Sequence, residues 1–442
     1  MINTNVLILG AGLAGIELGR RLSETNDNFI ILEKENQVGG MCRTNRTGDY
    51  YWDFAVHALY SKEKTIMDYL LSLPIDYEHH KRHVKIVHSY KGKRRLLDYP
   101  FESGIKDLPL SHKLECVFGY LNCVKRKKDN ASLRSWIDTH LGPGVAKHFM
   151  IPYNSKIWNC QLCRISSSLV SCKIEPASLK DFLLSALGKS VVGRAYQAEF
   201  VYPVRGIQEL IDYSARNIQP HIKLDTIVDR LRRDHDRWVV TTSDGSEYCA
   251  ETVISTIPLV ELLKKVDVKG VNESCDVFKW NNTYFVMVGL KQGCNFEFIK
   301  DCHWVFFKED EIFYRVTLMN NFGKDSPPTL VAEITKKDDI NSEDEECIKD
   351  LVLSNLLSLG IIADKNHIAI VDIKLLNYTY PIPTPGLESV KKDIADNLKQ
   401  QNLFLLGRNG NWDYINMDGI INKVEKFIEE NPHLKVSKER VL

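Results

Sequence analysis

The sequence predicts an α/β fold in which a helical block and an antiparallel sheet are inserted into a dinucleotide-binding unit. Three observations predict it. The first forty residues alternate apolar runs with a glycine turn and a helix-like run. The stretch 103–190 carries apolar residues at three and four spacing, the period of a helix face. The stretch 278–335 carries short alternating runs, the period of half-buried strands.

The opening unit reads Val6-Leu-Ile-Leu9, Gly10-Ala-Gly12-Leu13-Ala14-Gly15, Ile16 to Leu22, Phe29-Ile-Ile-Leu32 and then Glu33. That order is the βαβ of a Rossmann-like domain. Gly10 allows the tight turn, Gly12 lets a pyrophosphate approach the backbone, and Gly15 lets the helix pack close to the strand. Leu13 and Ala14 open a helix whose free N–H groups and partial positive charge face the phosphates. Glu33 ends the second strand, where a carboxylate takes a ribose 2′-hydroxyl and repels a 2′-phosphate, which argues against NADP. Lys34 beside it is counted with the same site.

Further along, Tyr50 to Phe54 reads as a hairpin or short strand ahead of His57. A helix over 62–73 stops at Pro74. Residues 82–99 alternate like paired strands around Gly92. Helices are expected near 111–127, 131–141, 143–151 and 176–188, punctuated by Gly142-Pro143 and Pro152. Phe200 to Pro203 returns to strand, followed by a helix over 207–217. Strands follow at 223–229 (with Val228, counted to the dinucleotide site), 237–242 and 249–257, with a turn at Asp244-Gly245. The strands 283–290, 303–307, 312–319 and 330–335 make the sheet. A helix over 344–359, a strand over 368–376, and a closing strand–helix pair at 402–406 and 416–430 complete the chain. The expected division gives 1–98, 195–277 and 400–442 to the dinucleotide domain, 99–194 to the helical block and 278–399 to the sheet.

With 442 residues, 44% hydrophobic and 26% charged, there is length for two or three domains. Fifty-eight basic residues balance fifty-eight acidic ones, which argues against general nucleic-acid binding. Two local clusters, Lys125-Arg-Lys-Lys128 and Lys91 to Arg95, read as solvated faces. No signal peptide precedes the first strand, and no apolar run approaches the roughly 18 residues of a membrane span. The eleven cysteines are odd in number and irregularly spaced, as expected of free thiols in a reducing cytoplasm. Cys160-x-x-Cys163 lacks the second ligand pair that zinc requires.

Gly39-Gly40-Met41-Cys42-Arg43-Thr44 resembles the second fingerprint of FAD enzymes of the amine oxidase and UDP-galactopyranose mutase type. The resemblance, not the spacing, makes the dinucleotide FAD, with Gly39, Gly40, Met41 and Arg43 among its ligands. Five more blocks look like those of UDP-galactopyranose mutases, in the family's order. They are Tyr99-Pro-Phe-Glu102, Pro152-Tyr-Asn-Ser-Lys-Ile-Trp158, Phe313-Tyr-Arg315, Tyr380-Pro-Ile-Pro-Thr384 and Gly407-Arg-Asn-Gly-Asn-Trp-Asp-Tyr414. Val253 to Pro258 resembles the strand by which such flavoproteins re-enter the dinucleotide domain. The resemblance therefore implies a discontinuous FAD-binding domain of the GR2 flavoprotein type.

It also implies roles. His57 would face the flavin ring, and Gly407-Arg408 would contact it. Asn416, Met417 and Asp418, opening the last helix, would meet the flavin's pyrimidine edge or ribityl chain, although Asp418 also reads as a helix cap. Arg315 would hold a diphosphate, with Tyr380 and Tyr414 donating to the same oxygens. Asn154 and Trp158 would sit on a mobile segment that closes over a nucleotide sugar, and Tyr99 near its base.

Three positions depart from the family. Ala55-Val56-His57 stands where glycines usually precede the histidine, so a backbone flip against the flavin is resisted. Lys173 is the nearest cation where the family has an arginine, and it lacks the bidentate fork. Glu102 replaces a glutamine that meets uracil in fungal-type mutases. An ionised carboxylate only accepts, which points to a base showing N–H donors, such as guanine or cytosine, rather than to UDP.

The leading expectation is an FAD-dependent nucleotide-sugar mutase that interconverts pyranose and furanose forms, with reduced flavin N5 as nucleophile at the anomeric carbon. His57 and Arg315 carry the catalytic assignment. An external reductant such as NAD(P)H would supply the electrons, and a homo-oligomer is left open. The alternative is an oxidoreductase of the amine oxidase or protoporphyrinogen oxidase type. A third class is a flavin-binding protein that has lost catalysis.

Overall fold

The computed structural model describes residues 1–124, 127–173, 178–189, 198–268, 277–323, 327–336 and 344–434, the side chains of 171–173 and 344 excepted. Ile2–Leu9 lies inside a seven-stranded sheet, parallel to Phe29–Leu32 on one side and to Glu247–Ser255 on the other. Val6 and Ile8 bury against the helices Leu13–Ser23 and Met417–Glu430, whereas Leu7 and Leu9 bury on the opposite face. A strand covered on both faces reads as a continuous apolar run, which is why the pattern was legible. Leu403–Leu405 pairs in parallel with the end of Glu247–Ser255. The start, middle and end of the chain thus meet in one sheet.

The far side of that sheet is covered in part by Leu387–Lys399, a helix absent from the sequence reading. The strand expected over 223–229 is broken. Asp225 adopts φ +50°, so the segment divides into Ile222–Lys223 and Val228–Asp234.

The second sheet also has seven strands, in the order Ile368–Ile382, Lys279–Leu290, Thr329–Lys336, Arg315–Leu318, Trp304–Phe306, Val84–Tyr90 and Lys93–Asp98. It is antiparallel except where Trp304–Phe306 runs parallel to Val84–Tyr90. The hairpin 84–98 therefore belongs to this sheet and not to the dinucleotide sheet, as the boundary at 98 had it. Val84 and Ile86 bury on one face and Val87 on the other, so the hairpin needs cover on both sides.

The helical block holds Leu110–Val124, Leu133–His140, a continuous run from Gly142 to Trp158, and Leu179–Ala186. Pro152 was expected to end a helix. Instead a π turn at Ala146–Met150 precedes Ile151–Trp158, where Pro152 sits in the first turn. A wide turn before the proline removes the need for its missing N–H. Among the described residues no helix is long and apolar enough to cross a membrane.

Candidate active site

One cavity of about 1400 Å³ extends from the turn after Ile2–Leu9 to the helical block. An ordinary small-molecule pocket is roughly 300–1,000 Å³, so this one has room for two ligands end to end.

At the dinucleotide end, Gly10 has φ +98° and donates its N–H to the Leu32 carbonyl at 2.8 Å. A Cβ on Gly15 would lie 2.0 Å from the Gly10 oxygen; the protein itself demands glycine there. Gly12 differs. A Cβ on it would meet nothing closer than the Gly40 Cα at 4.0 Å, and Gly12, Leu13, Ala14, Gly39, Gly40 and Met41 all line the cavity. Glu33 is buried; its two oxygens accept from the Ala11 N–H at 2.7 Å and the Glu35 N–H at 3.0 Å. A carboxylate so anchored keeps lone pairs for a ribose hydroxyl. Lys34 and Val228 line the same end. Arg43 lies 3.8 Å from Glu35 through Nη1, and its buried Nε has no hydrogen-bond partner. Gly407 does not line the cavity. At φ +85° its missing Cβ makes room for the Ala14 methyl, 2.6 Å from where that Cβ would stand.

The middle of the cavity is built by the turn at 55–57 and the segment after Leu403–Leu405. Ala55 adopts φ +42°, a left-handed conformation that costs a non-glycine residue roughly 1–2 kcal/mol. The family's glycine is absent, but the turn it would suit is present. His57 has a buried Nδ1 without a partner. Burial, with the Arg408 and Arg315 charges nearby, lowers its pKa to about 3, so the imidazole is neutral at physiological pH. Arg408 donates to the Ile415 and Thr379 carbonyls at 2.7 and 2.8 Å and lies 4.7 Å over the Tyr414 ring. No carboxylate among the described residues neutralises it. Asn416 is the N-cap of Met417–Glu430, and both Asn416 and Met417 line the cavity. Asp418 is neither the cap nor a lining residue; it sits in the first turn, one position too far round the helix.

Deeper in, Arg315 stands directly opposite Glu333 on the neighbouring strand. Nε and Nη2 donate to the two oxygens of Glu333, both at 2.7 Å. Glu333 is fully buried and also accepts from Tyr314 at 2.5 Å and Thr317 at 3.3 Å. The Tyr314 hydroxyl gives its one proton to Glu333, so at 2.9 Å it accepts from Tyr380. Tyr380 was assigned to donate to a diphosphate; here its proton is directed at Tyr314. Tyr414 and Trp158 complete the group, with ring centroids 5.5 Å apart and Tyr380 5.9 Å from Trp158. Trp158 is buried, and the Ile157 and Trp158 carbonyls accept from Asn281 at 3.1 and 2.8 Å. Asn154 lines the cavity and donates to the Met150 carbonyl at 2.7 Å.

The far end is aromatic. Phe101 stacks on Phe149 and Phe149 on Tyr153, each pair 5.1 Å apart. Tyr99 packs edge-on against Phe306 at 5.0 Å. Glu102 lines the cavity with no cationic partner among the described residues, and burial raises its pKa. The side chain of Lys173 lies outside the described residues. Sequence reasoning missed Glu333, Tyr314 and Arg82, whose guanidinium lies 5.2 Å over Tyr99 and 5.4 Å over Trp304. The signal for Glu333 was a single acid inside the apolar run Leu330 to Ile334.

The sequence matches the flavin-containing amine oxidoreductases over residues 13–407. The chain belongs to that family. Its fold is that of a reduced UDP-galactopyranose mutase crystal structure, with a TM-score of 0.88 at 21% identity over 98% of this chain and 95% of that one. A putative protoporphyrinogen oxidase from Exiguobacterium is also similar, with a TM-score of 0.75 at 16% identity over 97% and 98% of the two chains. Among curated relatives, a probable flavin-containing monoamine oxidase A of Dictyostelium discoideum is 21% identical over 58% of this chain and 57% of its own length. A UDP-galactopyranose mutase of Mycoplasma genitalium is 22% identical over 46% of this chain and 53% of its own. The matches thus span a little over half the length of these relatives.

The cavity fits the family's FAD. The open face of Gly12 leaves space for a pyrophosphate, and the orphaned Arg43 Nε supplies a donor at the same end. In the middle, Arg408 Nε and His57 Nδ1 are buried without partners, as groups awaiting a polar ring edge would be.

Proposed function

We propose that the protein is an FAD-dependent nucleotide-sugar mutase, interconverting pyranose and furanose forms of the sugar. The observation that carries this reading is the pair of guanidinium groups, Arg315 and Arg408, flanking neutral His57 in the middle of the cavity. Arg408 carries a charge uncompensated among the described residues, and Arg315 offers the N–H groups that Glu333 leaves free, which suits a diphosphate, whose desolvation requires several donors. Reduced FAD, when bound, supplies a nucleophilic nitrogen and no net redox change.

The chain's own residues do the rest. Arg408, fixed by two carbonyls, and Arg315, fixed by Glu333, meet the diphosphate with their remaining N–H groups. Tyr414 donates a phenolic hydrogen bond, and Tyr380 joins it only after its hydroxyl turns from Tyr314. Trp158 excludes water from the sugar. The Phe101–Phe149–Tyr153 stack offers an aromatic face to the base, with Glu102 at its edge. Neutral His57 offers a lone pair and one N–H to orient the sugar or the flavin. An external reductant such as NAD(P)H keeps the cofactor active.

A second reading, net oxidation, draws support from Glu333. By pairing with Arg315 it halves the uncompensated charge beside His57. One experiment separates the two. Reduced protein is incubated with a panel of nucleotide furanoses and pyranoses, and the products are resolved by chromatography. Ring-form conversion without oxygen uptake is expected. Conversion of none, with oxygen consumed on an amine or a porphyrinogen, overturns the mutase.

A further inference from the structure

The helix Leu110–Val124 carries an apolar stripe on its outer face. Leu110, Leu114, Phe118, Leu121 and Val124 are 70, 44, 61, 36 and 51% exposed. At 3.6 residues per turn these five fall within about 120° of the helix circumference, along roughly 21 Å of its length. The opposite face, with Cys116, Gly119, Tyr120 and Cys123, is buried. A contiguous exposed apolar face of this kind marks an interaction surface rather than a scatter of single residues. None of the five lines the cavity, so catalysis does not account for them.

Both ends of the stripe are basic. The exposed turn Lys91-Gly92-Lys93-Arg94-Arg95 is held beside the first turn of the helix by Tyr90, which meets Ser111 Oγ at 3.3 Å and the His112 ring at 4.8 Å. At the other end Lys128 donates to the Cys123 and Thr139 carbonyls at 3.0 and 2.9 Å, with exposed Lys127 beside it in sequence. Glu115, the single acid of the helix, is already paired with Lys147 at 2.9 Å. Described members of the two clusters that read as solvated faces in isolation thus stand at the two ends of one apolar face.

We propose that this face seats the protein peripherally on an anionic phospholipid surface. The five apolar side chains enter the headgroup boundary, and Lys91 to Arg95 at one end with Lys127 and Lys128 at the other lie over lipid phosphates. Charge complementarity selects this occupant over a second copy of the chain. A twofold pairing of the stripes, parallel or antiparallel, sets one basic end against another, and like charges there are destabilising.

The test is co-sedimentation of the full-length, flavin-loaded protein with phosphatidylserine–phosphatidylcholine vesicles and with pure phosphatidylcholine vesicles. Binding to the anionic vesicles is expected, weakening with salt. Leu114→Glu with Phe118→Glu should lower partition more than about tenfold. Lys91→Ala with Lys93→Ala should lower it about fivefold per residue without touching the helix, so that a folding defect in the first variant leaves a working test. Absence of wild-type binding, or equal partition of all variants, overturns the proposal. A dimer in sedimentation velocity that Phe118→Glu splits, with no vesicle binding, assigns the face to a second copy instead.

Discussion

Replacing Glu333 tests whether Arg315 is held ready for an anion. Glu333 accepts four hydrogen bonds, two from Arg315 and one each from Tyr314 and Thr317, and is fully buried. Only 20% of the Arg315 side chain is exposed. Glu333→Ala leaves that guanidinium desolvated and unpaired, a loss of about 3–5 kcal/mol for breaking a buried ion pair. Glu333→Gln keeps the volume but turns an amide donor toward the guanidinium, and should cost about 1–3 kcal/mol. The assay is denaturant unfolding of flavin-loaded protein with and without inorganic pyrophosphate. In Glu333→Ala the added anion replaces the missing carboxylate, so pyrophosphate should stabilise the variant more than the wild type. A destabilisation below about 1 kcal/mol for Glu333→Ala, the level of an ordinary surface change, refutes the buried pair as a structural element. Equal pyrophosphate stabilisation refutes the idea that Arg315 faces an anion site.

Gly12→Ala should fold but purify without the yellow flavin absorbance, whereas Gly15→Ala should yield little folded protein, because its Cβ meets the Gly10 oxygen at 2.0 Å; the reverse pattern contradicts the division between ligand space and packing. Ala55→Gly should be neutral or stabilising by up to about 1 kcal/mol in denaturant unfolding, since it relieves a positive φ, and a loss of more than that shows the turn to be unstrained. On acidification, His57, His303 and His88, held down to about 3, 3 and 4 chiefly by burial, stay neutral in the native state while their unfolded counterparts protonate below about 6.5. Asp53, held up to about 6 by burial, acts oppositely, keeping its proton on the native side. Three against one leaves about two protons taken up on unfolding near pH 5, so stability should rise with pH there by about 2–3 kcal/mol per pH unit, and a flat profile would mean that these rings are not buried neutral.

The dinucleotide unit was legible because one physical demand governs each position. Strands buried on both faces show as Val6 to Leu9 and Phe29 to Leu32, and the turn between strand and helix shows as glycines. The helix Leu387–Lys399 was not read, although Leu387, Ile394 and Leu398 are buried at near-helical spacing, because three core positions in thirteen residues make a weak periodic signal. The hairpin 84–98 was found as a hairpin and placed in the wrong sheet. Alternation fixes which face a residue takes; it does not say which strand lies beside it, and the partner Trp304–Phe306 is more than two hundred residues away.

At the site, the resemblance located residues but not their occupation. Arg315, Tyr380, Trp158 and Arg408 do converge, drawn from four distant segments. What no spacing conveys is that the Arg315 fork is closed by Glu333, that Tyr380 gives its proton to Tyr314, and that Arg408 is clamped by the Ile415 and Thr379 carbonyls. These commitments orient the groups, which favours a preorganised site. They also set its selectivity. If the ligand is the proposed diphosphate, it offers anionic oxygens to the free edges of two fixed guanidinium groups and gains enough there to turn the Tyr380 hydroxyl. An amine offers neither. On the mutase reading, a diphosphate meets the uncompensated Arg408 directly and Arg315 through the edge that Glu333 leaves free.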